Sequence, residues 1–445
     1  MRDLTVGNEG KQVLLFTIPM IIGTVFQQSY HIINSIIVGQ FIGDSALAAI
    51  GASFPIIFLL ISLVVGISNG ATIIIAQYFG AKEYEAINKA IDTLNIFTFV
   101  SSIIIAIVGI IFSREIFGVM NLPPSVLPHA EQYLKIYLAG LPGLFGFYAA
   151  SAVLRGFGDS KTPLYFQLIA AVVNIILDLF FIIVCKWGLS SVAVATIVAQ
   201  GGTFLYAIFY LKHRNSMIRY RLFNVRWHKD LFLQFVKIGL PSGLQQSFVA
   251  LGMMALIWLV DEFGTQTLAA YSVASRIDMF ATIPAMTFSY GLSTFVGQNI
   301  GANKYDRARN GFRSTLIITS IMSLIFSVII VIFSKQFMSA FSSDIVVIET
   351  GSEYLRIVSS FYIPFSILFV TNGILRGAGD TLMPMFNTIF ALWIVRIPAS
   401  YFLSLHYGAK GIWWGIPLGW VTGMILAWVW YMTGNWKKRK LVSTI

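Results

Sequence analysis

Asp178 is the residue whose place in this 445-residue chain most demands a chemical explanation. It stands in the apolar run NIILDLFFIIV, where a carboxylate is expensive and is read first as functional. Asn174, four residues earlier, falls on the same face if the run is helical. The two make a local polar site. In the first apolar run, Thr24, Gln27, His31 and Asn34 recur at helical spacing, with Gln28 and Ser35 beside them. Such a stripe either lines a watery cavity or ties helices together by hydrogen bonds. With Asp178 in the same half, the cavity is the reading adopted here. Later in the chain the unusual polar residues are Gln245, Gln246, Arg276, Asp278 and Arg396. Arg276 and Asp278 are two apart, so on a helix they diverge and each needs its own partner.

These residue types also exclude chemistry. Five scattered histidines offer no cluster for metal or acid–base work, so an enzyme is not expected. The lone Cys185 rules out an intramolecular disulfide and any cysteine-based metal site. The glycine-rich stretches lack the Lys-Ser/Thr ending and preceding strand of a phosphate loop. No cofactor is expected, and energy must come from an ion gradient. The formal net charge of +11 could suggest nucleic acid, but most Lys and Arg fall in segments that share one side of a membrane. The richest are 212–230 (Lys212, Arg214, Arg219, Arg221, Arg226, Lys229) and the tail with Lys437, Lys438, Arg439 and Lys440. Opposite loops carry few, such as Arg114, Lys186, Lys335 and Lys410. This is the positive-inside bias: it puts both termini in the cytoplasm and reports contact with membrane lipids, not a nucleic-acid partner.

The elements that must position these side chains are membrane helices. The chain is 57% hydrophobic and 11% charged, outside the range of soluble globular proteins. Runs long enough to cross a hydrocarbon core of ~30 Å are expected at 14–40, 45–77, 91–113, 131–154, 164–185 and 188–211, then at 233–260, 266–297, 311–333, 350–375, 383–404 and 411–433. The fold class is an all-α polytopic membrane protein of twelve transmembrane helices. A membrane barrel would show segments of about ten residues with alternating polarity. Residues 1–11 are polar and the first run continues too long for a cleaved leader, so the first helix is expected to stay.

The chain also resembles itself at an offset of 221. LRGFGDSKTP (Leu154–Pro163) returns as LRGAGDTLMP (Leu375–Pro384), AQYFGAKEYE from Ala76 as GQNIGANKYD from Gly297, and Leu47-Ala48-Ala49 as Leu268-Ala269-Ala270. Two copies of six helices enter the membrane in the same sense, which implies two lobes related by a pseudo-two-fold axis along the membrane normal. The expected divisions are an N-terminal lobe 1–211, a basic linker 212–230, a C-terminal lobe 231–433 and a basic tail 434–445. The linker reads equally as a solvated loop or as an amphipathic segment carrying Met217, Ile218, Leu222, Phe223 and Trp227. Subtracting one copy from the other isolates function: Asp178 aligns with Ala399 and Asn174 with Val395. The shared Arg155/Arg376 and Asp159/Asp380 read as helix caps and pairing groups. Pro19, Pro55, Pro142, Pro241, Pro284, Pro364, Pro398 and Pro417 fall inside apolar runs, where proline tends to kink a helix. Met253, Met254, Met279 and Met286 read as flexible packing.

Taken together, the two six-helix lobes, the LRGxGD and GAxxY loops and the opening FQQSYHIINSIIVGQFIG resemble the multidrug and toxic compound extrusion (MATE) family over essentially the whole chain. The resemblance implies alternating access between two lobes and export of amphipathic, often cationic organic compounds driven by Na⁺ or H⁺. A monomer is the expected working unit. The resemblance also implies a coupling-ion site in the N-terminal lobe, which carries over onto Asn34, Asn174, Asp178 and Thr196. Asn34 departs from the Asp common at that position. With one carboxylate and three neutral oxygen donors, the set tilts toward Na⁺ at Asp178, while a buried Asp178 could still carry H⁺. The remaining candidates, Gln27, Gln28, His31, Gln245, Gln246, Arg276, Asp278 and Arg396, are expected to line the cavity or touch substrate. The alternative is a flippase for lipid or lipid-linked oligosaccharide, for which Arg276 and Arg396 are the available cationic groups.

Overall fold

The computed structural model describes residues 2–119, 122–123, 126–214 and 226–442; the side chains of His31, Asp44, Ser45, Leu47, Ala48, Val119 and Arg214 are outside the description, as is the linker core 215–225 with Met217, Ile218, Leu222 and Phe223. Among the described residues there is no strand, and the order is α1 (Glu9–Phe41), α2 (Asp44–Gly80), α3 (Tyr84–Ile111), α4 (Ser113–Val119), α5 (Leu127–Ala139), α6 (Leu141–Gly156), α7 (Lys161–Leu179) and α8 (Ser190–Arg214). Then follow α9 (Lys229–Asp261), α10 (Thr265–Gly301), α11 (Tyr305–Ser339), α12 (Ile345–Ser359), α13 (Tyr362–Gly377), α14 (Leu382–Ile389), α15 (Ile397–Tyr407) and α16 (Ala409–Met432).

Nine of the described helices are long and apolar enough to cross a membrane, and two bent pairs bring the number to eleven. The remaining span is α10, 37 residues that carry Arg276 and Asp278. Two expected spans are broken. The run 131–154 bends by 48° between α5 and α6, and 350–375 by 51° between α12 and α13. In each the second helix begins around a proline, Pro142 or Pro364, because a residue without an amide proton fits a first helical turn and disrupts an interior one. Pro19, Pro55, Pro241, Pro284 and Pro417 stay inside continuous helices. Two π-helical segments interrupt the ladder, Phe180–Val184 directly after α7 and Phe390–Arg396 between α14 and α15.

Packing gives two compact units: Met1–Arg2 with Ile22–Leu240, and Asp3–Ile21 with Pro241–Ile445. Their membership changes inside α1 just after Pro19 and inside α9 just before Pro241. The first unit builds its core on Val38, Ala49, Phe117, Leu134, Leu141 and Val192. There α2 and α9 approach until a Cβ on Gly70 would lie 2.8 Å from the Cα of Gly239, the close backbone contact that glycine permits in membrane helices. The second unit has one core on Phe16, Phe288, Phe295, Phe312 and Trp436 and another on Tyr271, Tyr354, Tyr362 and Trp413.

The repeated loops are architectural. Asp159 caps α7 by accepting from the amides of Lys161 and Thr162 at 3.1 and 3.0 Å and from the Thr162 hydroxyl at 2.7 Å. Asp380 accepts from the Met383 amide at 3.5 Å and from the Trp430 indole at 3.0 Å. Arg376 lies over the Tyr290 ring, 5.1 Å from its centroid. Gly158 and Gly379 hold φ values of +75° and +97°, and each leaves room for a passing backbone carbonyl, that of Arg2 at the first and of Arg439 at the second. A side chain at either glycine would be strained by φ and blocked by the carbonyl.

Candidate functional site

Four helices of the first unit assemble a polar site. α1 supplies Tyr30 and Asn34 one turn apart, α5 Tyr133, α7 Asn174 and Asp178, and α8 Thr196. The Tyr30 hydroxyl donates to Oδ1 of Asn174, whose Nδ2 donates to Oγ1 of Thr196 at 3.2 Å. The Thr196 hydroxyl donates in turn to the carbonyl of Val192 at 2.9 Å. Nδ2 of Asn34 reaches the Tyr30 oxygen at 3.5 Å. The four positions read from sequence therefore meet around one residue that reading missed, Tyr30. Tyr133 was also missed. Tyr30 stands four residues before Asn34, so its spacing was a usable signal; an aromatic ring in a membrane helix reads first as packing.

Asp178 is fully buried and Asn174 is 2% exposed. Neither carboxylate oxygen of Asp178 accepts a hydrogen bond among the described residues, and Oδ1 of Asn34 is also buried without a donor. Tyr30 and Tyr133 lie within electrostatic reach of the carboxylate, yet the Tyr30 proton is committed to Asn174. Burying an unpaired charge costs several kcal/mol or more, so the site calls for a positive guest. Oxygen donors and one negative charge suit a proton or a small hard cation. No group of three His, Cys, Asp or Glu side chains that could hold a transition metal occurs among the described residues.

The other candidates separate by what they touch. Gln27 lies against the Tyr148 hydroxyl, and Gln28 is half-buried on the same helix. The His31 side chain lies outside the described residues. Gln245 is committed to structure: its Nε2 donates to the carbonyl of Pro384 at 3.1 Å and to Thr388 at 2.6 Å, tying α9 to α14. Gln246 reaches the Tyr290 hydroxyl at 3.4 Å. Arg276 is exposed, whereas Asp278 and Arg396 sit in one cluster of the second unit.

A multi-pass helical bundle with an unpaired carboxylate buried among oxygen donors is a membrane transporter in class. The MatE family pattern matches residues 19–180 and again residues 241–402, one match in each copy of the repeat. The chain is 32% identical over 443 residues, 99% of each chain, to "Probable multidrug resistance protein YpnP" of Bacillus subtilis (strain 168). It is 30% identical to "Probable multidrug resistance protein YoeA" of the same organism, covering 98% of this chain and 96% of that one. Among solved structures, an outward-facing multidrug resistance MATE family transporter of the MOP superfamily superposes with a TM-score of 0.92 at 23% identity, covering 98% of both chains. A MOP superfamily transporter from Pyrococcus furiosus, described as having a binding pocket of reverse polarity, gives 0.90 at 24% identity, covering 98% of both chains. The chain belongs to the MatE family, a family of transporters and not of enzymes, and its fold is the twelve-helix, two-lobed one of those structures.

Proposed function

We propose that this protein is a cation-coupled antiporter that exports amphipathic, often cationic organic compounds by alternating access. Asp178 is its coupling residue, and Asn34, Asn174 and Thr196 are the oxygen donors around the ion. The observation that carries this reading is the Asp178 carboxylate, fully buried with both oxygens unpartnered among the described residues. The YpnP and YoeA relatives are named probable multidrug resistance proteins, which supports drug export; the amphipathic, often cationic class is what the resemblance to the family implies. Na⁺ is the favoured ion, because Asn34 removes the second carboxylate with which Asp178 could share a proton, leaving neutral oxygens around one charge.

The protein works as a monomer in the cytoplasmic membrane, with both termini and the linker 212–230 facing the cytoplasm and its anionic lipid surface. The lobes 1–211 and 231–433 are the moving bodies, and the tail 434–445 stays on the cytoplasmic side. A lipid-linked oligosaccharide flippase would call for net positive charge in its cavity. Asp278 offsets Arg396 in the same cluster and Arg276 is exposed, so the residues do not favour that alternative.

The test is efflux of a fluorescent organic cation from proteoliposomes, driven by a Na⁺ gradient alone and then by a pH gradient alone. Transport under the Na⁺ gradient supports the reading, and transport under the pH gradient alone replaces Na⁺ by H⁺. Response to neither gradient refutes coupled export.

A further inference from the structure

The second unit contains a polar cluster that the coupling site does not use. Its charges are Asp278 on α10 and Arg396 at the end of the π-helical segment before α15. Oδ1 of Asp278, Nε of Arg396 and Nε1 of Trp413 are all buried without a hydrogen-bond partner among the described residues. Tyr362 is 2% exposed and Trp413 0%. The Tyr362 hydroxyl faces Asp278, and Tyr271 and Tyr354 lie within electrostatic reach of both charges. Trp413 stacks on Tyr271, with centroids 5.8 Å apart and planes within 1°, and meets Tyr354 edge-on at 5.1 Å. Gly419 leaves the space Arg396 occupies: a Cβ there would come within 2.8 Å of the arginine Cβ.

The Tyr362 hydroxyl is within hydrogen-bonding reach of Asp278; Nε of Arg396, Nε1 of Trp413 and Oδ1 of Asp278 remain, each with a desolvation cost that a guest could relieve. Nε of Arg396 and Nε1 of Trp413 only donate, and the ionised Asp278 carboxylate only accepts. The guest must therefore accept at one end and donate at the other. Asp278 and Arg396 are each only partly buried as whole side chains.

We propose that Asp278 and Arg396 form a substrate subsite for amphoteric compounds: Asp278 takes an ammonium group, and Arg396 takes a carboxylate or similar anionic group of the same molecule. The assignment rests on the export reading and names the substrate class more closely, as zwitterionic amphiphiles. Water is the competing guest.

The test uses two dyes with one ring system, zwitterionic rhodamine B and its cationic ethyl ester, with binding to the purified protein followed by fluorescence polarisation. Wild type is expected to bind rhodamine B at least as tightly as the ester; a preference for the ester overturns the proposal without any variant. Arg396→Gln is expected to weaken rhodamine B about tenfold or more, the range for losing a hydrogen bond to a charged group, while leaving the ester unchanged or tighter. Arg396→Lys is expected to recover part of the loss, and Asp278→Asn to weaken both dyes. Wild-type affinities in every variant would mean a cluster holding water only, and equal weakening of both dyes by Arg396→Gln would mean a structural role; either overturns the subsite. Efflux separates the two claims. Lost dye discrimination with gradient-driven efflux intact refutes the subsite alone, and intact discrimination without gradient-driven efflux of either dye refutes the export reading.

Discussion

Replacing Asp178 by Asn removes one charge and keeps the shape. The carboxylate oxygens accept no hydrogen bond among the described residues, so no partner is orphaned and the fold is expected to persist within about 1 kcal/mol. Ion binding changes far more, because Asp178 is the only carboxylate in its network with Tyr30, Asn34, Asn174 and Thr196. A cation about 4 Å from a unit charge at an effective dielectric of about 20 gains roughly 4 kcal/mol, about a thousandfold in affinity. Wild-type protein should therefore gain thermal stability on adding Na⁺, by the usual linkage between a ligand and the folded state, and the variant should gain none. Gradient-driven efflux should vanish while the variant remains monodisperse and cooperative in unfolding. Efflux at the wild-type rate from Asp178→Asn would refute the assignment, and so would an unchanged stabilisation by Na⁺.

Four further outcomes follow from named contacts. Tyr30→Phe removes the donor to Asn174 and the acceptor of Asn34; apparent ion affinity in efflux assays should fall about tenfold, the cost of leaving buried polar atoms unpaired, and an unchanged ion dependence would show that Tyr30 only packs. Asn34→Asp places a second carboxylate in the Tyr30–Asn174 network and should move coupling toward H⁺, since two carboxylates in one site favour sharing a proton; the measurement is the ratio of pH-driven to Na⁺-driven efflux. Gln245→Leu breaks both bonds that tie α9 to α14 and should cost about 1–3 kcal/mol in unfolding without altering which ion drives transport. Asp344, ahead of α12, caps that helix by accepting from the Val346 amide at 2.8 Å. That hydrogen bond first, then the Gln266 amide, holds its carboxyl below the usual range. With the folded value depressed, the contribution is present above the unfolded value near 3.8 and fades as pH falls below it; hydrogen exchange at the start of α12 should rise there in wild type and not in Asp344→Ala.

How far the sequence could be read depended on whether a residue's role is set by its own position or by its neighbours in space. Helical spans follow from apolar length, and α1, α2 and α9 match the expected runs apart from longer, more polar ends. The bends before α6 and α13 were not legible: Pro142 and Pro364 look like Pro55, which stays inside an unbroken helix. Asp178 and Asn174 stood out because a carboxylate in an apolar run has a cost that can be reasoned from sequence alone. Tyr30 did not, because a tyrosine in a membrane helix costs little until its hydroxyl meets Asn174. Gln245 shows the opposite failure. It looked as polar as Gln27, but its amide is spent on Pro384 and Thr388, partners 139 and 143 residues away along the chain.

The two copies divide the work by what each does not share with the other. Asp159 and Asp380 both cap the helix that follows their loop, and Gly158 and Gly379 both admit a backbone carbonyl, so the repeated residues build the same scaffold twice. The unshared residues differ in charge. Among the described residues, the first unit holds the Asp178 carboxylate, which accepts no hydrogen bond, and the second holds Asp278 with Arg396, a neutral set. A cation shifts a conformational equilibrium only through its different affinity for the two states, and an isolated negative charge provides that difference more readily than a balanced pair. The proposed ion role therefore falls on Asp178, and selection among organic guests falls on Asp278 and Arg396. If both assignments hold, linkage requires that Na⁺ change dye affinity by the same factor that dye changes Na⁺ affinity. Arg396→Gln should then alter the affinity for rhodamine B while preserving that factor for the ester, whereas Asp178→Asn should bring the factor to one for both dyes. A factor that survives Asp178→Asn would place the coupling ion elsewhere in the protein.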